Sequence, residues 1–387
     1  MAGDSSRCPP FDLGARLAKL GRMLLLVSAF AVSFLMTLWV VRHAKALQRL
    51  ASDHDLSGPQ KFHARPVPRI GGLGIVLGVG AGAAMLAWRD PTMGSWLALF
   101  LTCAMPAFGA GLAEDITKTQ SPRRRLLLTA VSAALAAVLV QAVITRTDIP
   151  GLDWLVAFPL GALLVTVFVV AGVANAVNII DGFNGLASMC VVIMLIGLAY
   201  VAFAVDDRLI SLLALAGVGA VLGFFVWNFP AGLVFLGDGG AYFLGFYVAE
   251  LAILLLFRNP GVSPMFPLLL CIYPVFETLF SIYRKKYLRG MSPGMPDGVH
   301  LHMLVYKRLM RWAVGNTSAR DLTRRNSMTS PYLWMLCSLS VVPAVLWFDS
   351  TAIQAACILL FGAIYVLLYW RIVRFKAPRW MVVRRRK

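Results

Sequence analysis

Charged residues are scarce in this chain. Only 14% of its 387 residues are Asp, Glu, Lys or Arg, whereas 59% are hydrophobic. A water-soluble domain usually has about a quarter of its residues charged, so this chain lacks the polar surface to cover a globule of its size. It does contain enough apolar sequence for many segments of about 20 residues, the length that crosses a bilayer. The composition therefore excludes an ordinary soluble protein and predicts a membrane protein.

Cysteine and histidine are also rare. The chain has six cysteines and five histidines, and no two cysteines form a CxxC pair. All the cysteines except Cys8 lie in apolar runs, where small buried thiols are expected. A disulfide framework and a cysteine-based zinc site are therefore not expected. No cleavable signal is evident either, because the first apolar run is long enough to span a membrane and lacks a small-residue cleavage site.

Eleven apolar runs are long enough to cross a membrane. They are residues 23–41, 70–88, 94–112, 126–144, 154–174, 186–205, 209–228, 241–257, 263–283, 331–348 and 352–372. Only helices and closed barrels satisfy their backbone hydrogen bonds in lipid, and no alternating strand pattern is seen. We therefore predict an all-α fold, a polytopic membrane helix bundle of about 11 transmembrane helices. Residues 1–22 would form an N-terminal segment, 23–372 one transmembrane domain with polar loops, and 373–387 a basic tail.

The basic residues predict how the bundle is oriented. The net charge is +18, from 36 Lys and Arg against 18 Asp and Glu. Basic residues concentrate in loops 42–69, 113–125 and 284–330 and after residue 370. The alternate loops hold one arginine each, namely Arg89, Arg146, Arg208 and Arg258. The positive-inside rule places the basic regions in the cytoplasm, and anionic lipid explains the charge better than nucleic acid does.

Acidic residues gather on the same predicted cytoplasmic side, at or just beyond helix ends. They are Glu114, Asp115, Asp181, Asp238, Glu277 and Asp297, from five segments. Acids at membrane depth are costly and usually serve a site. Carboxylates that converge from several helices could form an oxygen-rich site that suits magnesium. The alternative is that each acid balances a nearby basic loop residue.

Two of these acids have unusual neighbours. Asp238 lies between Gly237 and two further glycines, which would let the backbone approach a phosphate or a metal closely. The run 175–186 places three asparagines, Asp181 and two glycines between two spans. Oxygen and amide groups at that density suit a nucleotide or a metal, and a polar connecting turn is the alternative.

Two further segments could handle phosphate. His300 and His302 lie in a predicted cytoplasmic loop, where such a pair could bind phosphate, act as general acid and base, ligate a metal or simply face solvent. Residues 60–72 place Arg65 and Arg69 in a loop stiffened by proline and glycine at the membrane surface. A phosphate at the headgroup level would fit there, and ordinary anchoring explains the charges equally well.

Taken together and in this order, the motifs resemble the polyprenyl-phosphate N-acetylhexosamine-1-phosphate transferases, glycosyltransferase family 4, and most of all the branch that starts O-antigen or enterobacterial common antigen. The resemblance covers about residues 58–303. It rests on His63-x-x-Pro66-x-Pro68-Arg69-x-Gly71-Gly72, Glu114-Asp115, Asn175-Ala176-x-Asn178-x-x-Asp181-Gly182, Phe235-x-Gly237-Asp238 and His300-Leu301-His302.

The resemblance implies transfer of a sugar 1-phosphate from a UDP-N-acetylhexosamine to a polyprenyl phosphate, undecaprenyl phosphate in a bacterium, with release of UMP. Magnesium, or manganese in its place, would screen the two polyanionic substrates. The implied catalytic residues are Glu114, Asp115, Asp181, His300 and His302, the substrate-binding residues Lys118, Arg65, Arg69, Asn184 and Gly237, and the metal ligands Asp238 and Asn178. The site would lie on the cytoplasmic face of a bacterial inner membrane, with membrane lipid as a partner, no nucleic acid, and a homodimer left open.

Some positions depart from the family pattern. Glu114 stands where Asp is usual, Gly298 where Arg is frequent, and Met303 where the histidine motif commonly has a further His. These departures argue against the peptidoglycan translocase and leave open a family member without catalysis. A membrane transporter or lipid flippase is the alternative from another class. It would show paired halves and acids near the bilayer midplane, whereas this chain has no internal repeat and only Glu250 lies deep within a predicted span.

Overall fold

The structure of the protein is a computed structural model that describes residues 13–45, 67–292, 298–310 and 318–375. Predicted site residue Arg65, the motif residue His63, the acid Asp297 and the tail beyond 375 lie outside the described residues.

Regular structure in the described part is entirely helical. The helices are α1 (Leu13–Arg42), α2 (Gly72–Arg89), α3 (Pro91–Thr117), α4 (Pro122–Leu139), α5 (Leu152–Val156), α6 (Pro159–Ile180), α7 (Leu186–Ala204), α8 (Arg208–Asn228), α9 (Gly237–Arg258), α10 (Phe266–Leu270), α11 (Ile272–Tyr283), α12 (Leu301–Leu304), α13 (Ala319–Leu346) and α14 (Thr351–Val373). Short π-helical segments follow α11 and α12, at Arg284–Leu288 and Val305–Leu309.

Nine of the described helices are long and apolar enough to cross a membrane: α1, α2, α3, α6, α7, α8, α9, α13 and α14. The two remaining predicted spans are helical as well. Helix α4 begins with three arginines after Pro122. The run 263–283 divides at Cys271 into α10 and α11, and Pro274 in α11 cannot donate the backbone hydrogen bond that would continue one helix into the other. The prediction of an all-α polytopic bundle is confirmed.

Successive spans alternate in direction, so their ends lie on two faces. The site face, as we name it, carries the end of α3 and the start of α9. There, Gly71 N donates to Phe235 O at 3.0 Å and Phe235 N donates to Pro68 O at 2.9 Å. The opposite, or far, face carries the end of α2 and the start of α8. The predicted acidic and histidine motifs within the described residues all belong to the site face.

Helix α9 lies at the centre of the bundle. Every residue from Gly237 to Leu256 is buried, and the helix packs against α2, α3 and α6. Small residues permit this, since Gly111 of α3 lies directly against the backbone of Asp238, and Gly72 of α2 against Gly240. The first turn of α9 is therefore the point at which several helices meet on the site face.

Candidate active site

The turn that begins α9 is held by the carboxylate of Asp115. Its Oδ1 accepts from Asp238 N and its Oδ2 from Gly239 N, both at 2.9 Å. These are N-terminal amides of a helix, which have no partner within the helix and attract negative charge. Gly237 precedes them with a φ of 77°. A Cβ there would collide with the Arg69 carbonyl and lie 2.5 Å from Asp115 Oδ2, so the turn requires glycine.

The carboxylate of Asp238 is surrounded by donors. Arg69 Nη2 lies 3.4 Å from its Oδ1, and Asn178 Nδ2 donates to the same oxygen at 3.2 Å. Arg125 Nη1 donates to Oδ2. Arg69 Nε also lies 3.7 Å from Asp115 Oδ1. Four separate segments of the chain therefore meet at the side chain of Asp238. The ion pair of Arg125 with Asp238 joins residues more than 100 positions apart in the sequence.

Asp181 adds a third carboxylate directly after α6. Its side chain has no hydrogen-bond or ion-pair partner within the part of the chain that the structure describes. Burial disfavours its charge and raises its pKa to about 7; Arg69 opposes the rise, whereas Asp238 and Asp115 add to it. We call Asp115, Asp181, Asp238, Arg69 and Arg125 the acidic cluster. When all three of its carboxyls are ionised, they exceed its two guanidinium groups by one negative charge.

The acidic cluster offers oxygen donors of the kind that magnesium prefers. Among the described residues, no group of three or more His, Cys, Asp or Glu side chains is arranged to enclose a metal. Magnesium does not need such a cage, because it keeps several waters and is commonly bound by one or two carboxylates together with substrate phosphates. Asp238 and Asp181 carry hard carboxylate oxygens at the cluster, and Asn178, whose Nδ2 donates to Asp238 Oδ1, carries an amide oxygen on the same side chain.

The histidine motif is anchored to a buried glutamate. Glu277 Oε1 lies 3.0 Å from His300 Nδ1 and accepts from Leu301 N at 3.0 Å. Its Oε2 accepts from the hydroxyl of Tyr365 at 2.7 Å. Glu277 is 1% exposed and Tyr365 is fully buried. The carboxylate thus fixes both the backbone and the ring at the start of α12.

His302 joins this motif to the acidic cluster. It is fully buried, and its ring lies against Gly182 and 5.6 Å from the ring of Phe183. Burial lowers its pKa to about 3; His300 adds to the lowering and Glu277 opposes it. Neither ring nitrogen has a hydrogen-bond partner among the described residues. A neutral imidazole offers one donor and one acceptor, so His302 presents unused polar capacity beside Gly182, the residue that follows Asp181.

Helix α14 holds the histidine segment in place. Arg284 Nη1 donates to Val299 O and to the hydroxyl of Tyr369, both at 2.6 Å. Tyr369 also donates to Val299 O at 3.1 Å. Arg308 Nη1 donates to Ile372 O at 2.9 Å. With Tyr365, these contacts make the last described helix the support of His300 and His302.

Three predicted site residues lie outside this arrangement. Glu114 Oε2 accepts from Gln120 N at 2.7 Å and so closes the turn after α3. Adjacent residues of a helix point about 100° apart, so Glu114 and Asp115 cannot face the same cluster. Lys118 is exposed at the end of α3 with a φ of 56°. Asn184 is buried against α13, donating from N to Asn326 Oδ1 at 2.8 Å and from Nδ2 to Pro230 O at 3.1 Å. Their catalytic or binding roles stay predictions.

Sequence reasoning missed Arg125. Arg123, Arg124 and Arg125 together fit the positive-inside rule, and that rule gives no reason to separate them. Of the three, only Arg125 is half-buried and contacts Asp238. The signal was present in the spacing. Thr129, Ser132 and Ala136 follow Arg125 at helical intervals and are buried, which marks the inward face of α4. Tyr365 was missed because nothing in its local sequence distinguishes it from other aromatic residues of an apolar helix.

The chain is similar to known proteins. Residues 97–256 match the family model described as glycosyl transferase family 4. A probable undecaprenyl-phosphate N-acetylglucosaminyl 1-phosphate transferase of Bacillus subtilis is 30% identical over 286 residues, which cover 73% of this chain and 77% of that protein. An undecaprenyl-phosphate alpha-N-acetylglucosaminyl 1-phosphate transferase of Thermotoga maritima is 27% identical, over 73% and 81% of the two chains. A phospho-N-acetylmuramoyl-pentapeptide-transferase of Geobacillus thermodenitrificans is 29% identical, over 59% and 75%.

Proposed function

Because this chain belongs to glycosyl transferase family 4, we propose that it transfers an N-acetylhexosamine 1-phosphate from a UDP-sugar to a polyprenyl phosphate and releases UMP. The observation that carries the proposal is the acidic cluster on one membrane face, with the unpartnered ring of His302 beside it. The phosphate of a membrane lipid lies at the membrane surface, so it can reach a site only at that depth. A soluble nucleotide sugar can reach the same surface from the water. The lipid-linked product would initiate a cell-surface polysaccharide.

The reaction requires little covalent chemistry from the protein. An oxygen of the lipid phosphate attacks the phosphorus that carries the sugar, and the bond from that phosphorus to the bridging oxygen of the diphosphate breaks, so UMP leaves. Catalysis then depends on positioning and charge. The Asp181 carboxylate is suited to take a proton from the lipid phosphate, because its pKa is near neutrality and it has no partner in the described residues.

Other residues of the site would bind and orient. Asp115 has both oxygens committed to the start of α9, so we assign it a positioning role. Arg69 and Arg125 attract the phosphates while holding Asp238. We assign His302 to the diphosphate or the sugar, because its ring nitrogens have no partner among the described residues. Contact requires the fully buried ring to become accessible. Magnesium, with manganese as a substitute, would be held by Asp238 and Asn178 and would neutralise charge on the phosphates.

We place the site face in the cytoplasm of a bacterial inner membrane. The support is the charge of its loops, where Arg123 and Arg124 are exposed next to the cluster and the predicted basic regions all follow helix ends of this face. UDP-sugars are cytoplasmic metabolites, which requires the same orientation.

An exchange assay tests the proposal. Purified protein with polyprenyl phosphate should incorporate labelled UMP into a UDP-N-acetylhexosamine, and a panel of UDP-sugars would identify the sugar. Asp238→Asn should abolish exchange, whereas Asp349→Asn, an exposed residue of the far face, should not. Exchange by Asp238→Asn at a near-normal rate would refute the proposed site. Absence of exchange in the wild type with every sugar would favour a family member without catalysis.

One observation favours the transporter alternative. Glu250 lies within α9, is fully buried, and neither of its carboxylate oxygens has a partner among the described residues. Acids at that depth often mark a transport pathway. Movement of lipid across proteoliposomes in the absence of any UDP-sugar, lost in Glu250→Gln, would support a transporter. Normal exchange and no such movement would assign Glu250 to packing.

A further inference from the structure

The arginines of the far face fall into two groups. Arg146 Nη2 donates to Asn259 O and Val262 O at 3.2 and 2.5 Å. Arg258 pairs with Asp207 through two hydrogen bonds of 2.7 and 3.3 Å. Both therefore tie loops together. Arg89 and Arg208 are exposed and make no hydrogen bond or ion pair with any residue the structure describes. The positive-inside rule disfavours basic residues on the far face, so two exposed arginines without a partner in the described chain are unexpected there.

Both of these arginines line the same cavity, together with Arg22. The cavity has a volume of about 610 Å³ and lies between the far-face ends of α1, α2, α7 and α8. The guanidinium of Arg89 lies over Gly21, where a Cβ would come within 2.5 Å of Nη1. That of Arg22 lies 5.3 Å from the ring centre of Phe203. Three guanidinium groups from three different segments thus converge on one space.

The acids around the cavity compensate only part of this charge. Asp207 is neutralised by Arg258 and also accepts from Ile210 N. Asp90 caps α3 by accepting from Met93 N at 3.2 Å. Asp206 is exposed at the rim. Three lining arginines and Arg258 against three aspartates leave a net charge of one positive unit.

The inner wall of the cavity is apolar. Leu25 and Leu86 are buried there, with Leu212 and Met85 beside them. A wall of this kind, below a ring of arginines at a helix end, matches the position of a lipid headgroup and the start of its acyl chains. Guanidinium groups bind phosphate with paired hydrogen bonds, so the lining has the chemistry of a phosphate site.

We propose that this cavity binds a phosphate group on the far face, with Arg22, Arg89 and Arg208 as its ligands. The phosphate could belong to an anionic phospholipid of that leaflet or to a soluble phosphate. This site is separated from the acidic cluster by the thickness of the bundle, so it does not depend on the proposed catalytic function.

Binding by the full chain in a neutral detergent tests the proposal. The probes are phosphatidylglycerol in mixed micelles, phosphatidylcholine as a zwitterionic lipid, and inorganic phosphate. Each affinity is taken from the rise in the thermal unfolding midpoint as the probe is added. The main variant is Arg89→Gln with Arg208→Gln, two exposed positions. The matched control is Arg42→Gln, exposed on the site face.

We expect phosphatidylglycerol to bind the wild type, and the double variant to bind it about 25-fold more weakly, since a basic residue near an anionic headgroup contributes about fivefold. The Arg42→Gln control should bind like the wild type. Saturation by inorganic phosphate with the same dependence on the two arginines would identify a soluble phosphate as the source. The proposal is overturned if neither probe binds the wild type better than the double variant, or if the control loses as much affinity.

Discussion

Replacing Asp181 by asparagine should abolish exchange and at the same time stabilise the protein at alkaline pH. The wild-type carboxyl has a pKa of about 7 in the folded protein, against an ordinary pKa of 3.8 for a solvated aspartate. Because the folded state holds its proton more tightly, the carboxyl lowers the free energy of unfolding as the pH rises from 3.8 through 7, and contributes no such loss below both values. Asparagine carries no charge at any pH and removes this loss.

The size of the effect follows from the shift. A rise of about three pKa units corresponds to an upper limit of about 4 kcal/mol at pH 8. Asp181 is only half-buried, so solvent screening reduces this, and we expect about 1 to 2 kcal/mol. At pH 5 about a third of the gain should remain, because only the interval from 3.8 to 5 then contributes.

The measurement is thermal unfolding of the purified protein at pH 5 and pH 8 without divalent ions, beside the UMP exchange assay. For a chain of this size the gain corresponds to an increase of a few degrees in midpoint at pH 8. Asp349→Asn, an exposed far-face carboxyl, is the matched control and should change neither quantity. A variant that is no more stable than the wild type at pH 8 would show that Asp181 is not an uncompensated charge. A variant that keeps its exchange activity would show that Asp181 has no functional role.

Three further outcomes are expected. Arg125→Gln should lower the exchange rate at least about tenfold, because it removes a charged partner of a buried carboxylate. Arg124→Gln changes the exposed neighbour, and its exchange rate should stay within about twofold of the wild type. An equal loss in both variants would refute a specific role for Arg125. Tyr365→Phe should lower the free energy of unfolding by about 2 kcal/mol and reduce kcat more than it raises KM, because Glu277 loses a buried hydrogen bond. The control is Tyr287→Phe, at a side chain that is 70% exposed. An unchanged kcat in Tyr365→Phe would show that α14 does not contribute to catalysis. A chelator should abolish exchange and added magnesium should restore it, and activity that survives complete chelation would exclude the metal.

The sequence alone was enough to predict the class of fold. Apolar runs of about 20 residues must become helices in lipid, and nothing else in the chain competes with that requirement. Two predicted runs are divided: 154–174 between α5 and α6, and 263–283 at Cys271, where Pro274 removes one backbone donor. Proline alone does not determine a break, because Pro106, Pro331 and Pro343 lie inside continuous helices.

The site could be predicted only where its residues are locally unusual. Asp238 among glycines and Asn178 with Asp181 near a helix end are rare combinations, and the structure does bring them together. Glu114 was grouped with Asp115 because they are neighbours in sequence, yet the rotation of the helix separates them. Arg125 and Tyr365 act through partners more than 80 residues away. Helix packing determines which residues become such partners, and a single sequence does not show which helices pack together.

The support of His300 and His302 by α14 bears on how the protein is made. Membrane helices are synthesised in order, and α14 is the final helix of the described chain, so Tyr365 and Tyr369 leave the ribosome after every carboxylate of the acidic cluster is already in the membrane. A nascent chain would therefore contain the residues of the acidic cluster before the contacts that hold its histidines can form. A chain that ends before Thr351 would keep the acidic cluster and lack the contacts of Tyr365 and Tyr369 with Glu277 and Val299.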